Sequence, residues 1–315
     1  MDAQMISTRR LTKSYGGVHA LRGVTLDVAE GTVLGLLGHN GAGKTTLVNV
    51  LATLLPPSGG AATVAGHDVL RESRAVRRSI GLTGQFASVD DKLSGLDNLV
   101  LIGRLLGASR KQARQRADEL LEVFGLADAA DRPCRTYSGG MRRRLDIAAG
   151  LVGRPRVLFL DEPSTGLDPA SRMSLWETVE GLVADGTTVL LTTQYLEEAE
   201  RLAHTITVLS QGTVVATGLP AELKARIGKR RAHLEVLRQA EVPEVVDALR
   251  RVGFSEVETP RPGSVSVPVA GFADFAGVVG AVQRVDVAVT ELTLSEPSLD
   301  DVYLSLTGAT TASAG

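Results

Sequence analysis

Apolar and polar positions alternate between two rhythms along the chain. The runs Val33 to Leu37, Val157 to Leu160 and Val189 to Leu191 are short, uncharged and rich in branched residues. That is the pattern of strands buried on both faces of a parallel sheet. Two further β-rich runs, Ile6 to Leu11 and Val24 to Val28, open the chain. Helical spacing takes over from Lys44 to Leu54, directly after the first apolar run, and again from Ser171 to Ala184, before a strand at Thr187 to Thr192. From Leu93 to about Leu126 the period is also helical, with Ala113, Ala117, Leu120, Leu121 and Phe124 three and four residues apart. The alternation predicts an α/β domain over residues 1–219, with an inserted helical subdomain over about 86–150.

After Leu219 the pattern changes. Strands are expected at His233 to Leu237, around Glu256 to Glu258, at Ser264 to Val269 and at Val285 to Leu294, with helices at Pro243 to Val252, Phe272 to Arg284 and from Ser298. The order β-α-β-β-α-β predicts a small α+β, ferredoxin-like domain over residues 220–308. The tail 309–315, rich in Thr, Ala and Ser, should fray. Leu299, Val302, Tyr303 and Leu306 share one apolar face of the last helix, suited either to docking a partner or to packing within the domain.

Composition narrows the function classes. The 315 residues and 43% hydrophobic content support about two packed domains. A formal charge of −2 leaves no basic excess, so no nucleic-acid partner is suggested. No apolar run reaches the roughly 18 to 20 residues that span a bilayer, and Met1 to Arg10 lacks the apolar core of a secretion signal. A membrane function would therefore require a separate partner. The single cysteine, Cys134, belongs to no metal-ligand spacing and reads as incidental, in keeping with a reducing compartment.

The first apolar strand feeds Gly38-His-Asn-Gly-Ala-Gly-Lys-Thr45, a full match to G-x-x-x-x-G-K-[ST] between a strand and a helix. Glycines let successive N–H groups face phosphates, and the helix adds its positive end. The chain is thus expected to be a P-loop NTPase that binds ATP and Mg²⁺. Its candidate nucleotide contacts are Gly38, Asn40, Gly41, Ala42, Gly43, Lys44, Thr45 and Thr46. Lys44 is assigned to the β- and γ-phosphates and the Thr45 hydroxyl to Mg²⁺. The second apolar strand ends in Asp161 and Glu162. Asp161 is the candidate metal ligand, and Glu162 the general base that orients the attacking water.

Ahead of that strand stands Tyr137-Ser-Gly-Gly-Met141. With it, residues 5 to 218 closely resemble the nucleotide-binding subunits of ABC transporters. The resemblance implies a homodimer with ATP at the interface, in which Ser138, Gly139 and Gly140 complete the opposite subunit's site. It also implies a permease subunit that the ATPase serves as a peripheral protein on the cytoplasmic face of the membrane. Tyr15 resembles the aromatic that stacks on adenine, and Gln85 the glutamine that meets Mg²⁺ or the water on a loop moving with the membrane subunit. Contact with that subunit is expected near Gln85, Phe86 and the segment from Leu93 to about Leu126. Asp168 of Gly166-Leu-Asp168 resembles the residue bridging the two sites, while Arg142 to Arg144 read as a solvated helix face. Gln194 stands where most of the family has a histidine on the γ-phosphate; its amide can donate a hydrogen bond but does not titrate. Lys44, Gln85, Glu162 and Gln194 are the implied catalytic set. Tyr137 and Met141, Gln194 and the late Glu296-Pro-Ser-Leu-Asp-Asp-Val-Tyr303 look like the daunorubicin-resistance type of antibiotic-export ATPase. Export of a hydrophobic drug or antibiotic is the expected function, with lipid or polysaccharide export as the alternative. A non-transport ABC ATPase fits less well, since the chain has one cassette, one cysteine and no heptad run.

Overall fold

The computed structural model describes residues 4–83, 89–227, 230–285, 287–295, 298–299 and 302–303, and the chain divides into two compact units, Met1–Pro220 and Ala221–Gly315. The first unit opens with the hairpin β1 (Gln4–Tyr15) and β2 (Val18–Ala29), followed by β3 (Val33–Leu37), α1 (Lys44–Leu51), β4 (Gly59–Val64), β5 (His67–Asp68), α2 (Ser73–Ser79) and β6 (Ile80–Thr83). Helices α3 (Gly95–Leu105), α4 (Arg110–Val123) and α5 (Gly139–Leu151) come next. The alternation resumes with β7 (Val157–Asp161), α6 (Pro169–Ala184), β8 (Thr188–Thr193), α7 (Leu196–Leu202), β9 (Thr205–Ser210) and β10 (Thr213–Gly218).

Two sheets result. One runs β10-β9-β3-β8-β7-β6 and is parallel except for β10; the other, β2-β1-β4-β5, is antiparallel. Strands β3, β7 and β8 are apolar on both faces because alternate residues serve two cores. Leu34, Leu36, Val157, Phe159 and Leu190 join the antiparallel sheet and α1, while Leu158, Leu160, Val189 and Leu191 join α3 to α6. In the helical part, Ala113, Ala117, Leu120 and Leu121 form the buried stripe of α4. Cys134 is buried there too, its Sγ accepting from Asn98 Nδ2 at 3.3 Å, and burial pushes its thiol pKa up.

The helical stretch from Leu93 to Leu126 consists of two helices. Gly107 turns the chain at φ 94°, and Ser109 starts α4 with a capping box: Gln112 N–H donates to Ser109 Oγ at 3.3 Å and Ser109 N–H to Gln112 Oε1 at 2.9 Å. Likewise α1 stops at Leu51 rather than Leu54, where Thr53 takes φ 62°.

Helix α8 (Pro220–Ile227) begins at the boundary, and the second unit continues with β11 (Arg230–Val236), α9 (Val242–Arg251), β12 (Ser264–Val269), α10 (Phe272–Val282) and β13 (Val289–Ser295). Its sheet, β12-β11-β13, is antiparallel, and Val245 and Leu249 of α9 with Val278 and Ala281 of α10 pack on Ala232, Leu234, Val265 and Val267. The strand expected at Glu256 to Glu258 is reduced to one bridge, Glu258 to Ser266, with both hydrogen bonds at 2.8 Å. Pro260 and Pro262 follow at once and remove the donors a longer ladder needs. The bridge still lies beside β12, so the segments keep the spatial order of a split βαβ unit. Leu299 and Val302 are buried, which removes them from any solvent-facing docking surface; Leu306 lies outside the described residues.

Candidate nucleotide site

Register brings three chain segments together at the C-terminal edge of the parallel sheet. Leu37 pairs with Thr193, and Asp161 with Thr192. Gly38, Glu162 and Gln194 therefore leave the sheet next to one another, at the edge where open α/β sheets bind ligands.

Between β3 and α1 the loop is fixed by its backbone. Gly43 caps α1 at φ 107°, where a Cβ would also fall 2.6 Å from the Ala20 carbonyl oxygen, so both conformation and space demand glycine. Ala42 N–H donates to His39 O at 3.1 Å, and Gly212 N–H donates to Ala42 O at 2.9 Å, tying the loop to the β9–β10 turn. Among the described residues no side chain caps α1, which leaves its first N–H groups directed at the loop's concavity. Asn40, Gly41 and Thr45 are exposed and Thr46 half-buried. Lys44 is only 4% exposed. Its Nζ donates to Gly38 O at 2.6 Å and pairs with Glu162 Oε1 at 3.2 Å.

Asp161 ends β7, buried, and accepts the Thr192 hydroxyl. Glu162 is held at φ 49°, a left-handed conformation that costs a residue with a Cβ about 1–2 kcal/mol. Its N–H donates to Thr192 O at 3.0 Å and Thr192 Oγ1 at 3.1 Å. One threonine thus holds Asp161 at its carboxylate and Glu162 at its backbone N–H. Sequence reasoning passed over Thr192, whose role depends on the pairing of β7 with β8.

The signature segment starts α5, where Ser138 Oγ accepts from Met141 N–H at 3.2 Å. Ser138 and Gly139 are exposed, whereas Gly140 packs so closely on α6 that a Cβ would fall 2.5 Å from Ser171 Oγ. Ser171 donates through N–H and hydroxyl to Asp168 at 2.9 and 2.8 Å. Those bonds cap α6 and, led by the Ser171 N–H, hold the Asp168 carboxyl below its usual range. Among the described residues no hydrogen bond or ion pair links Ser138, Gly139 or Gly140 to Lys44 or Glu162.

The basic run is not a solvated face. Arg142, Arg143 and Arg144 are half-buried, and each ties α5 to a backbone carbonyl. Arg142 donates to Cys134 O at 3.2 Å and pairs with Asp91 at 3.0 Å, and Arg144 donates to Phe124 O at 3.0 Å. Arg143 donates to Pro163 O at 2.7 Å and Asp161 O at 3.2 Å, gripping the chain on either side of Glu162. Burial lowers its pKa, opposed by the nearby charges of Asp146, Asp161 and Glu198. Tyr15 ends β1, 45% exposed, with Lys13 Nζ 5.1 Å from its ring centroid. Gln194 is exposed just beyond β8. Gln85, with Phe86, lies outside the described residues.

Residues 21–165 match the family model described as ABC transporter. The chain is 52% identical over 310 residues, 98% of its own length and 96% of the relative's, to the daunorubicin resistance ATP-binding protein DrrA2 of Streptomyces coeruleorubidus. Among solved structures it is similar to cbiO1 of Clostridium perfringens, part of the ABC transporter complex cbiONQ, with TM-score 0.66, 28% identity and coverage of 71% of this chain and 92% of that one. It is also similar to the dimeric structure of the bacterial ABC transporter cassette MJ0796, with TM-score 0.63, 27% identity and coverage of 68% and 98%. Among the described residues no helix is long and apolar enough to cross a membrane. The chain belongs to the ATP-binding proteins of ABC transporters, and within them to the daunorubicin-resistance type of ATPase.

Proposed function

We propose that this chain powers export of a hydrophobic drug or antibiotic through a separate membrane subunit, hydrolysing ATP between two copies of itself. The observation that carries the chemistry is the meeting of Lys44 Nζ and Glu162 Oε1 at 3.2 Å, with Asp161 buried one residue behind. A cation for phosphate oxygens, a carboxylate to order water and a second carboxylate beside them are the groups that phosphoryl transfer to water needs. Lys44 binds the β- and γ-phosphates, and Glu162, released from Lys44, accepts hydrogen bonds from the attacking water. Gln194 donates to the γ-phosphate. Mg²⁺, which neutralises charge on the phosphates when bound, is suited by the Thr45 hydroxyl and Asp161. Gln85, which the family resemblance adds as a residue that would hold the metal, lies outside the described residues.

Exposed Ser138 and Gly139 stand at a helix N-terminus and, among the described residues, form no hydrogen bond with the phosphate loop of their own chain, which supports their use by a second copy across the interface. Tyr15, exposed at the end of β1, stacks on adenine. The exported compound is inferred from the relative's name and the near-complete coverage of both chains. Co-expression with a candidate membrane subunit in a drug-sensitive host tests it. Resistance to a hydrophobic drug that Lys44→Ala abolishes is the expected result. Unchanged sensitivity across the drug panel, with restored lipid or polysaccharide export instead, would select the other substrate class.

A further inference from the structure

Behind Glu162 and Gln194 lies a buried polar cluster that the chemistry above leaves unused. Glu198 of α7 is wholly buried, and its Oε1 accepts the indole N–H of Trp176 on α6 at 3.2 Å. Among the described residues, neither its Oε2 nor the Ser164 hydroxyl, both buried, makes a well-formed hydrogen bond. Burial raises the carboxyl's pKa, while the hydroxyls of Thr193 and Ser164, the indole and the charge of Arg172 oppose that rise. The partners are placed where hydrolysis is organised. Ser164 comes two residues after Glu162, and its backbone carbonyl accepts Leu167 N–H at 3.2 Å in the loop leading to Asp168. Thr193 immediately precedes Gln194, and its Oγ1 accepts Tyr195 N–H at 2.9 Å. Arg172 of α6 lies over the Tyr195 ring at 5.2 Å, and Arg143 of α5, whose charge feels Glu198, holds Pro163.

An apolar side chain would fill this site without the cost of burying an unsatisfied acceptor. We propose that Glu198 is a positioning residue for hydrolysis, holding the Ser164 loop and the end of β8 against α6 so that Glu162 and Gln194 keep one mutual geometry. Glu198 acts through Ser164, Thr193 and Trp176 and touches no reacting atom. The proposal rests on the roles given above to Glu162 and Gln194.

Trp176 is the protein's only tryptophan, so its emission reads the Glu198 contact directly. Steady-state ATPase kinetics and Trp176 emission on the purified full chain form the test. Glu198→Leu is expected to lower kcat about tenfold or more, the scale of a lost orienting contact, to change KM for ATP less than about threefold, and to shift the emission. Glu198→Gln, which keeps an acceptor oxygen, should restore at least half of kcat. Ser164→Ala, a smaller lesion that keeps the test decisive if the Leu variant does not fold, should lower kcat several-fold at unchanged KM. Glu162→Gln is measured in parallel. Wild-type turnover in Glu162→Gln would overturn the site reading beneath the proposal. An inactive Glu162→Gln beside wild-type kcat in Glu198→Leu and Ser164→Ala would overturn the role of Glu198 alone. Equal impairment of the Leu and Gln variants, or a KM change as large as the kcat loss, would reduce Glu198 to general packing and overturn it as well.

Discussion

Lys44 and Glu162 share a pair from which one member cannot be removed without consequence for the other. With side chains 4% and 12% exposed, Lys44→Ala leaves a nearly buried carboxylate uncompensated. It should cost up to about 3 kcal/mol of stability as well as ATP binding, to be measured by thermal unfolding and nucleotide titration. Glu162→Gln keeps the shape and removes the base, so ATP should still bind while hydrolysis falls about 10² to 10⁴-fold. Gln194→Ala is expected to slow turnover by removing an oriented donor, whereas Gln194→His should preserve substantial activity and introduce a pH dependence that the wild type lacks between pH 6 and 9. ATPase assays on the three proteins across that range decide it, and a wild-type rate for Gln194→Ala would take this residue out of the site. Glu198 makes a separate pH statement. Burial raises its folded pKa above the ordinary carboxyl range, so the native state binds the extra proton and stability contributed by this group is lost as pH rises from that ordinary range through the raised value. Arg143 and Arg172 face the same cluster and limit that loss. Melting temperatures of wild type and Glu198→Gln should therefore diverge in the variant's favour over that window and run parallel above it.

Where elements meet, one or two atoms decide the fit. Gly140→Ala must displace the Ser171 hydroxyl and break its 2.8 Å bond to Asp168, so α5 and α6 should separate at their N-termini. ATP-dependent dimer formation, followed by light scattering, is expected to weaken while the monomer still binds nucleotide. Thr192→Val removes the hydroxyl shared by Asp161 and Glu162 at the end of β8. A loss of about 1–3 kcal/mol follows from the unsatisfied groups, readable in denaturant titration. At this scale the sequence was uneven. Strands β3, β7 and β8 could be read directly, because burial on both faces leaves an uninterrupted apolar run. The break between α3 and α4 was hidden, since apolar residues at three- and four-residue spacing occur in both helices and only Gly107 and the Ser109–Gln112 box interrupt them. Arg142 to Arg144 misled for a related reason: their charge suggests solvent, but their partners are carbonyls 8 to 20 residues away in sequence, which no local pattern records. The phosphate loop was fully legible because its function resides in consecutive backbone atoms. Thr192 was not, because its role depends on strand register.

Each of the two units closes its own hydrophobic core, one around the parallel sheet and the other around β11, β12 and β13. A chain ended after Pro220 is therefore expected to fold and bind ATP, judged by circular dichroism and nucleotide titration, while losing transport in the co-expression host. Retained transport would exclude an essential role for the second unit. Glu162→Gln with ATP and Mg²⁺ should elute as a dimer in size-exclusion chromatography, and a strictly monomeric protein at every concentration would count against ATP bridging two copies. The burial of Cys134 bears on how such changes can be followed in the whole molecule. With its thiol enclosed beside Asn98 and its pKa pushed up, little thiolate is available to an electrophile. Ellman's reagent should find no rapidly reacting sulfhydryl in the native chain and one after guanidinium unfolding. The natural protein can then serve as its own unreactive background, so that a fluorophore attached through one new cysteine at exposed Leu101 or Val123 reports from a single known address.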